Sequence, residues 1–441
     1  MVPSERTRRI LALALPVIGG MVSQNVLNLV DTAMVGTLGN AALAAVGIGG
    51  FAAFMSQALV LGVATGVQAL AARRKGEGRE AETALPLNGG LLLVLLVAPL
   101  LSLLLLYLIP RFYPLLNGDL EVVAQGMPYL QIRVLAIVFV GMNFAFRGYW
   151  SAVDQTRLYL ITLLVMHSTN IGLNYILIFG NLGAPAMGVA GAGLATALAT
   201  GVGTLIYFIM GWRLGRDHGF LRRLPGRAQL KTLAALSLPS GIQQLFFAAG
   251  FLAMYWIIGR VGTAELAAAN VLINIMLVAI LPGMGLGIAA ATLVGQALGR
   301  GDREDAARWG WDVVKLGVVG MAVLGAPMWA APDWLLSAFI HDPATLELAR
   351  LPMRLVGATI AVEAVGLILM HALLGAGDSR RVMKVAIALQ WALFLPLAYL
   401  VGPALGLGLL AIWVLQGGYR TLQALAFWLM WRRRGWADMD L

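Results

Sequence analysis

Residues 10–37 read ILALALPVIGGMVSQNVLNLVDTAMVGT, and this stretch indicates the fold class. It contains a single charged side chain, Asp31. At 1.5 Å of rise per residue, about 20 apolar residues in an α-helix cross a hydrocarbon core of about 30 Å. We therefore expect this stretch to be a membrane-spanning helix.

Eleven further apolar stretches follow, separated by short polar segments. Of the 441 residues, 60% are hydrophobic and only 12% are charged, against about 25% charged in an ordinary soluble domain. The sequence therefore predicts an all-α polytopic membrane protein of about twelve transmembrane helices. The predicted spans are 10–37, 41–72, 83–109, 124–150, 157–180, 188–213, 232–260, 264–298, 306–332, 345–374, 382–402 and 406–431.

The two halves of the chain repeat each other. A shift of 223 residues places Leu15-Pro16 on Leu238-Pro239 and Gly62 on Gly285, and a shift of 224 residues places Asp154 on Asp378. Because six spans is an even number, the halves have the same orientation and form two parallel six-helix repeats. We expect an N-lobe at 1–213, a cytoplasmic linker at 214–231 and a C-lobe at 232–441, around a central cleft.

The basic residues indicate the orientation. Alternate flanks, beginning with the N-terminus, hold 24 of the 31 lysine and arginine residues, and the opposite flanks hold 4. Since positive charge is retained in the cytoplasm, we expect both termini there and the chain in the inner membrane of the cell. The net charge of +10 belongs to these flanks, so we expect membrane lipids and no nucleic acid as partners.

Several kinds of chemistry are absent from the sequence. The chain has no cysteine, which excludes disulfides, thiolate metal sites and cysteine nucleophiles. It has neither an HExxH motif nor a G-x-x-x-x-G-K-[ST] phosphate loop, so we expect neither an enzyme nor ATP-driven transport through its own P-loop. We expect no cofactor and no metal.

Two acids, Asp31 and Glu363, lie well inside the predicted spans. An ionisable residue at membrane depth is costly and indicates function by default. Gln24 and Asn28 share a helical face with Asp31, and Asn170 and Asn174 form a stripe on the fifth span together with His167. If these faces meet, amides can donate hydrogen bonds to the Asp31 carboxylate while burial disfavours its charge, and such a group can take up or release a proton. Asparagines that merely join helices are the alternative.

Several sequence motifs resemble the multidrug and toxic compound extrusion (MATE) family, in particular its DinF-like prokaryotic branch. They are residues 13–48 (LALPVIGGMVSQNVLNLVDTAMVGTLGNAALAAVGI), 146–157 (FRGYWSAVDQTR) and 170–180 (NIGLNYILIFG), with echoes at 238–250 (LPSGIQQLFFAAG) and 373–380 (LLGAGDSR). The resemblance covers essentially the whole chain. It implies twelve helices, a cleft between two lobes, and export of organic cations coupled to entry of protons or sodium.

The resemblance also implies roles for single residues. Asp31 matches the family's first-helix acid, Asn170 its fifth-helix asparagine, and Thr196 a threonine of the same site. Asn174 stands where some archaeal members have aspartate, which leaves Asp31 as the carboxylate of the N-lobe site. We therefore expect proton coupling through Asp31, Asn170 and Asn174.

Glu363 matches the tenth-helix acid of the family's sodium-linked branch, but Phe247 stands where that branch has its seventh-helix acid. One carboxylate with amides such as Gln243 or Gln244 is a weak sodium site, because a hard cation requires several oxygen ligands. Glu363 therefore has two interpretations: a coupling or substrate-binding acid, or a structural partner of Arg133 or Arg420. The expected residues of a substrate or cation site are Gln24, Asn28, Thr196, Glu363, Gln243, Gln244, Met21 and Phe54.

The resulting prediction is a monomeric secondary exporter of small amphipathic organic cations, driven by a proton gradient. Two alternatives remain at this point. One is a sodium-coupled drug exporter, and the other is a lipid-linked oligosaccharide flippase of the same superfamily. Few basic residues lie inside the spans, which favours the drug exporters over the flippase.

Overall fold

The computed structural model describes residues 2–439, which fold into α-helices with short turns between them and no strand. Five short 3₁₀ or π segments interrupt or join the helices. The helices are α1 (Ser4–Gly36), α2 (Asn40–Leu61), α3 (Val63–Gly76), α4 (Leu85–Phe112), α5 (Leu120–Leu135), α6 (Ile137–Ala152), α7 (Thr156–Leu177), α8 (Gly188–Leu214), α9 (Arg227–Gly259), α10 (Thr263–Ala279), α11 (Leu281–Gly299), α12 (Arg303–Ala330), α13 (Pro332–Leu336), α14 (Pro343–Ala376), α15 (Ser379–Ile387), α16 (Leu395–Tyr399) and α17 (Gly408–Arg432).

The described helices include ten stretches that are long and apolar enough to cross a membrane. An eleventh consists of α5 and α6, which are bent by 48° relative to each other where a single helix was predicted. The twelfth predicted span is α17, a 25-residue helix. Gln416, Arg420 and Gln423 interrupt its apolar sequence. The chain is a multi-pass membrane protein.

Aspartate side chains begin several of these helices. Asp302 accepts a hydrogen bond from the Asp305 amide at 2.8 Å, and Asp342 accepts one from the Thr345 amide at 2.9 Å. Each cap satisfies an amide that has no partner within the helix, which stabilises the helix start by about 1 kcal/mol. Asp302 and Asp342 therefore have local structural roles.

The chain divides into two compact units. One contains residues Gly19–Gln244, and the other contains the chain up to Ile18 together with the chain from Leu245 onward. The unit boundaries therefore fall inside α1 and inside α9, at positions that correspond under the internal repeat to within three residues.

In the unit Gly19–Gln244, the principal packing pairs are α7 with α8, α2 with α5, and α3 with α6. Small residues permit this packing: a Cβ added at Gly148 would lie 2.4 Å from the Ala64 carbonyl oxygen. The segment between α8 and α9 folds against α4, because the Asn88 amide donates to the carbonyl oxygens of Gly219 and Arg223 at 2.9 and 2.8 Å.

In the other unit, α14 is the central helix and packs against α11, α12 and α17. A Cβ added at Gly375 would lie 2.3 Å from the Ala291 carbonyl oxygen, so α11 and α14 approach too closely for any larger residue. The start of α1 is fixed to α12 by Arg6, whose Nη1 lies 2.8 Å from Asp305 Oδ1 and whose guanidinium stacks on the Trp309 ring at 3.6 Å.

Candidate functional site

The Asp31 carboxylate lies where α1 approaches α7. The approach depends on Gly20, since a Cβ at this position would lie 2.6 Å from the ring of Tyr159 on α7. Further along both helices, the Asn174 side-chain amide donates to Asp31 Oδ1 at 2.6 Å. Asn174 is fully buried, whereas Asp31 is partly exposed. The structure thus brings together the two helical faces on which the predicted polar residues lie.

Asn170 and Thr196 extend the polar contacts to α8. Asn174 Nδ2 also donates to Asn170 Oδ1 at 2.9 Å, and Asn170 Nδ2 donates to Thr196 Oγ1 at 3.0 Å. The Thr196 hydroxyl in turn donates to the Ala192 carbonyl at 3.0 Å. This chain of bonds, here called the amide network, places one amide hydrogen on the carboxylate and leaves Asn174 Oδ1 buried without a partner.

Protonation of Asp31 would alter the bonding in this network. An ionised carboxylate only accepts hydrogen bonds, and Asn174 Nδ2 supplies one. A protonated carboxyl gains an O–H donor, for which Asn174 Oδ1 is a buried acceptor with no other partner. A turn of the Asn174 amide would bring its Oδ1 to this donor and would break the bond from Nδ2 to Asn170 Oδ1, so each protonation state would hold α1 and α7 by a different set of bonds.

Gln24 and Asn28 lie on the same face of α1, nearer its N-terminus than Asp31. The Gln24 amide donates to Asn28 Oδ1 at 3.2 Å, and Gln24 Oε1 lies 3.1 Å from Nε2 of His167 on α7. A second polar contact therefore joins the two helices. His167 was predicted only as a member of the α7 stripe, and its pairing with Gln24 could not be predicted from the residues of either helix alone.

Arg133, on α5, lies in the unit of Asp31, whereas the sequence left it as one of two partners for Glu363. Met21 on α1 is half-buried and Phe54 on α2 is 37% exposed. Both belong to the unit of the amide network and contribute apolar surface outside its hydrogen bonds.

Glu363 lies in the unit that contains the chain from Leu245 onward, and its carboxylate is next to the guanidinium of Arg420. Its Oε1 is 3.3 Å from Arg420 Nε, and both side chains are more than nine-tenths buried. The Phe247 ring lies 5.9 Å from the Arg420 guanidinium carbon. The guanidinium thus stands beside the lone acid of this cluster, and Phe247 adds no oxygen ligand. Gln243 and Gln244, expected to assist Glu363, are half-buried in the part of α9 that belongs to the unit of Asp31.

Residues 2–439 contain no group of three or more histidine, aspartate or glutamate side chains arranged to hold a metal ion. The two acids of interest are instead held by amides in one case and by a guanidinium in the other. The first acid thus accepts a hydrogen bond from a neutral amide, whereas the second lies beside a positively charged side chain.

Removal of one partner of the Glu363–Arg420 pair should be costly. We expect Glu363→Gln and Arg420→Met each to reduce the free energy of unfolding by about 3–5 kcal/mol, because each leaves a buried group unpaired. The double variant should lose much less than the sum. Thermal unfolding in detergent measures these effects, and Glu347→Gln, which breaks a surface pair with Arg350, is the matched control. Additive losses in the double variant would show that the two side chains do not stabilise each other.

Comparison with known proteins identifies related sequences over nearly the whole chain. A family model described as MatE matches residues 16–176 and again residues 239–400. The two starts are 223 residues apart and the two ends 224 apart, in agreement with the predicted internal repeat. The probable multidrug resistance protein NorM of Thermotoga maritima is 28% identical over 424 residues, which cover 93% of this chain and 89% of that protein. The multidrug resistance protein MdtK of Yersinia pseudotuberculosis is 26% identical over 425 residues, 90% of each chain.

Solved structures share the fold. An outward-facing multidrug resistance MATE family transporter of the MOP superfamily has a TM-score of 0.89 at 22% identity, over 99% of this chain and 97% of that one. A MOP superfamily transporter from Pyrococcus furiosus has a TM-score of 0.88 at 22% identity, over 97% and 96% of the two chains. The predicted all-α fold with two repeats is therefore confirmed. The related proteins are described as resistance proteins and transporters, not as enzymes.

Proposed function

The chain belongs to the MatE family, and from this premise we propose that it exports small amphipathic organic cations in exchange for protons. The names of NorM and MdtK support the drug as the exported species. The observation that carries the coupling proposal is the amide network, in which Asp31 is the only carboxylate and can exist with or without a proton.

In this proposal, a proton and a drug molecule bind in turn at the Asp31 carboxylate. A cationic drug is attracted to the ionised carboxylate, and a proton neutralises that carboxylate and weakens the attraction. The two ligands therefore compete, and competition for one group is the simplest linkage between inward proton movement and outward drug movement. The partly exposed Asp31, with Met21 and Phe54 in the same unit, offers a negative group and apolar surface to such a ligand.

The conformational response is assigned to α1. Pro16 removes a backbone hydrogen bond within the helix, and the Gly19-Gly20 pair lowers the cost of bending nearby. Protonation changes the bonds between Asp31 and Asn174. It therefore changes the free energy of a straight α1 and that of a bent α1 by different amounts. Such a difference between states is what a coupled transporter requires.

Protons are favoured over sodium because of the Glu363–Arg420 pair. A sodium ion needs several oxygen ligands, whereas here a guanidinium lies beside the lone acid. The experiment that tests the proposed function is transport of ethidium by the purified chain in proteoliposomes. An imposed proton gradient should drive transport, and a chain that moves no drug under this gradient would refute the proposal.

We also propose that the chain lies in the inner membrane as a monomer with both termini in the cytoplasm. In this orientation, the connection between α8 and α9 is cytoplasmic and the connection between α4 and α5 is outside. Asp217 is exposed in the first connection and Leu120 is 85% exposed at the start of α5.

Cysteine labelling tests this orientation, since the chain contains no other cysteine. Asp217→Cys should resist an impermeant thiol reagent added to intact cells and react after the cells are opened. Leu120→Cys should react in intact cells. Reversal of the two results would place both termini outside.

A further inference from the structure

A small cavity lies between α14 and α17, beside the Glu363–Arg420 pair. Its volume is about 10 Å³, which is close to the volume of one water-sized sphere. Apolar side chains such as Met276 and Val356 line one part of it, and polar side chains line the other. A molecule bound there must therefore be very small.

Three of the lining side chains carry a buried polar atom that lacks a partner. They are Trp413 and Gln416 on α17 and Glu363 on α14, and their side chains are more than nine-tenths buried. Within residues 2–439, no group forms a hydrogen bond with Trp413 Nε1, Gln416 Oε1 or Glu363 Oε1. Because buried polar groups in folded proteins nearly always have a partner, three such atoms around one cavity indicate a bound molecule.

The ion pair does not supply the missing bonds. Glu363 Oε1 lies 3.3 Å from Arg420 Nε, but the two atoms are not aligned for a hydrogen bond, and neither has another partner within residues 2–439. Arg420 Nη1 donates instead to Gln423 Oε1 at 3.2 Å. The two charges attract each other, while the carboxylate oxygen can still accept a hydrogen bond from a third group.

We propose that the cavity holds one water molecule, which joins α14 to α17. A water molecule can accept a hydrogen bond from Trp413 Nε1–H and donate its two hydrogens to Gln416 Oε1 and Glu363 Oε1. Three hydrogen bonds is the usual number for a buried water. One molecule thus satisfies all three atoms, whichever ion drives transport.

A sodium ion is the alternative occupant. It would meet the oxygens of Glu363 and Gln416, but it requires several oxygen ligands and accepts no hydrogen bond. The Trp413 N–H would remain unbonded beside it, and the Arg420 guanidinium would repel it. The mixture of donor and acceptors therefore selects a neutral molecule that can both give and take hydrogen bonds.

Two adjacent glycines of α17 provide a matched pair of variants. Gly417 lines the cavity, and a Cβ added there would lie 3.5 Å from Thr359 Cγ2, which is an ordinary contact. Gly417→Ala therefore places a methyl group at the cavity without a clash. A Cβ added at Gly418 would have no atom of residues 2–439 within 4 Å, so Gly418→Ala leaves the cavity unchanged.

Thermal unfolding of the two variants in detergent distinguishes a wet cavity from a dry one. Both substitutions gain the higher helix propensity of alanine. If the cavity were dry, the methyl group of Gly417→Ala would fill it and add stability. Because we expect it to displace the water and leave polar atoms unpaired, Gly417→Ala should unfold at a lower temperature than Gly418→Ala. An equal or higher unfolding temperature would contradict the proposal.

Radiolytic labelling detects the water directly in the unmodified chain. Brief X-ray irradiation converts water into hydroxyl radicals, which oxidise the side chains that touch it, and mass spectrometry measures the product at each residue. Trp413 should be oxidised several times faster than Trp436. Both side chains are 1% exposed, but Trp436 donates its N–H to the Trp431 carbonyl at 2.9 Å and needs no water.

The same measurement gives the outcomes that decide the proposal. Oxidation of Trp413 should fall to the level of Trp436 in Gly417→Ala, remain high in Gly418→Ala, and be equal in sodium and choline buffers. Oxidation of Trp413 no faster than that of Trp436 in the unmodified chain would overturn the bound water, even if Gly417→Ala does not fold. Oxidation that falls when sodium replaces choline would assign the cavity to the ion instead.

Discussion

Asp31→Asn is expected to reduce ethidium efflux from cells to the background of cells that lack the protein. Asparagine has nearly the size of aspartate, and its side-chain oxygen can still accept the bond that Asn174 donates at 2.6 Å. The variant should therefore insert and fold normally. It has no charge to attract a cation and no group to exchange a proton, so both partners of the proposed exchange are lost.

The control for this prediction is Asp217→Asn, the same substitution at a side chain that is 92% exposed. It breaks only a surface ion pair with Arg222, which contributes little to stability. Efflux should remain at the level of the unmodified chain. Wild-type efflux with wild-type pH dependence in Asp31→Asn, at equal amounts of protein in the membrane, would make Asp31 a structural residue.

The second large effect concerns the driving ion. In proteoliposomes at equal pH on both sides, a sodium gradient should drive little ethidium transport, whereas a proton gradient in sodium-free buffer should drive it fully. The reason is the Glu363–Arg420 pair, which supplies one carboxylate and a cation where sodium needs several oxygens. The double variant Glu363→Gln with Arg420→Met removes both charges together and should retain proton-driven transport.

The double variant is preferred to Glu363→Gln alone because it leaves no buried charge unpaired. Strong sodium-driven transport that disappears in the double variant would move the coupling site to Glu363. A loss of proton-driven transport in a double variant that folds and inserts normally would show that this cluster takes part in the cycle.

The fold could be predicted from the sequence because length and hydropathy alone determine a membrane-spanning helix. The internal repeat was equally readable, since glycines and prolines recur at fixed shifts and the family model matches the chain at those shifts. The bend between α5 and α6 was not predicted. The helix breaks around Ala136, next to no glycine or proline, so the sequence offers no local signal for it.

The sequence predicted the polar face of α1 and the polar face of α7, but not the hydrogen bonds that join them into the amide network. Residues seven or four apart share one side of a helix, which placed Gln24 with Asp31 and Asn170 with Asn174. Which of these side chains touch depends on the rotation of α1 against α7, and that rotation is determined by packing such as the contact of Gly20 with Tyr159. No pattern along one helix contains this information.

The choice of partner for Glu363 had the same limit. Arg133 and Arg420 are both basic residues within predicted spans, and the sequence left both open. The structure pairs Arg420 with Glu363 at 3.3 Å, whereas Arg133 lies in the unit of Asp31. Long-range charge pairing follows from how helices assemble, which a single sequence does not show.

The most direct test of exchange at Asp31 is the affinity for ethidium as a function of pH, measured by fluorescence on the purified protein. Competition between the drug and one proton predicts that the dissociation constant rises by up to about tenfold for each unit of falling pH on the acid side of the Asp31 titration, since each bound cation must displace one proton there. The slope should be smaller in Asp31→Asn, in which that proton is absent. An affinity in the unmodified chain that does not change with pH would contradict the account.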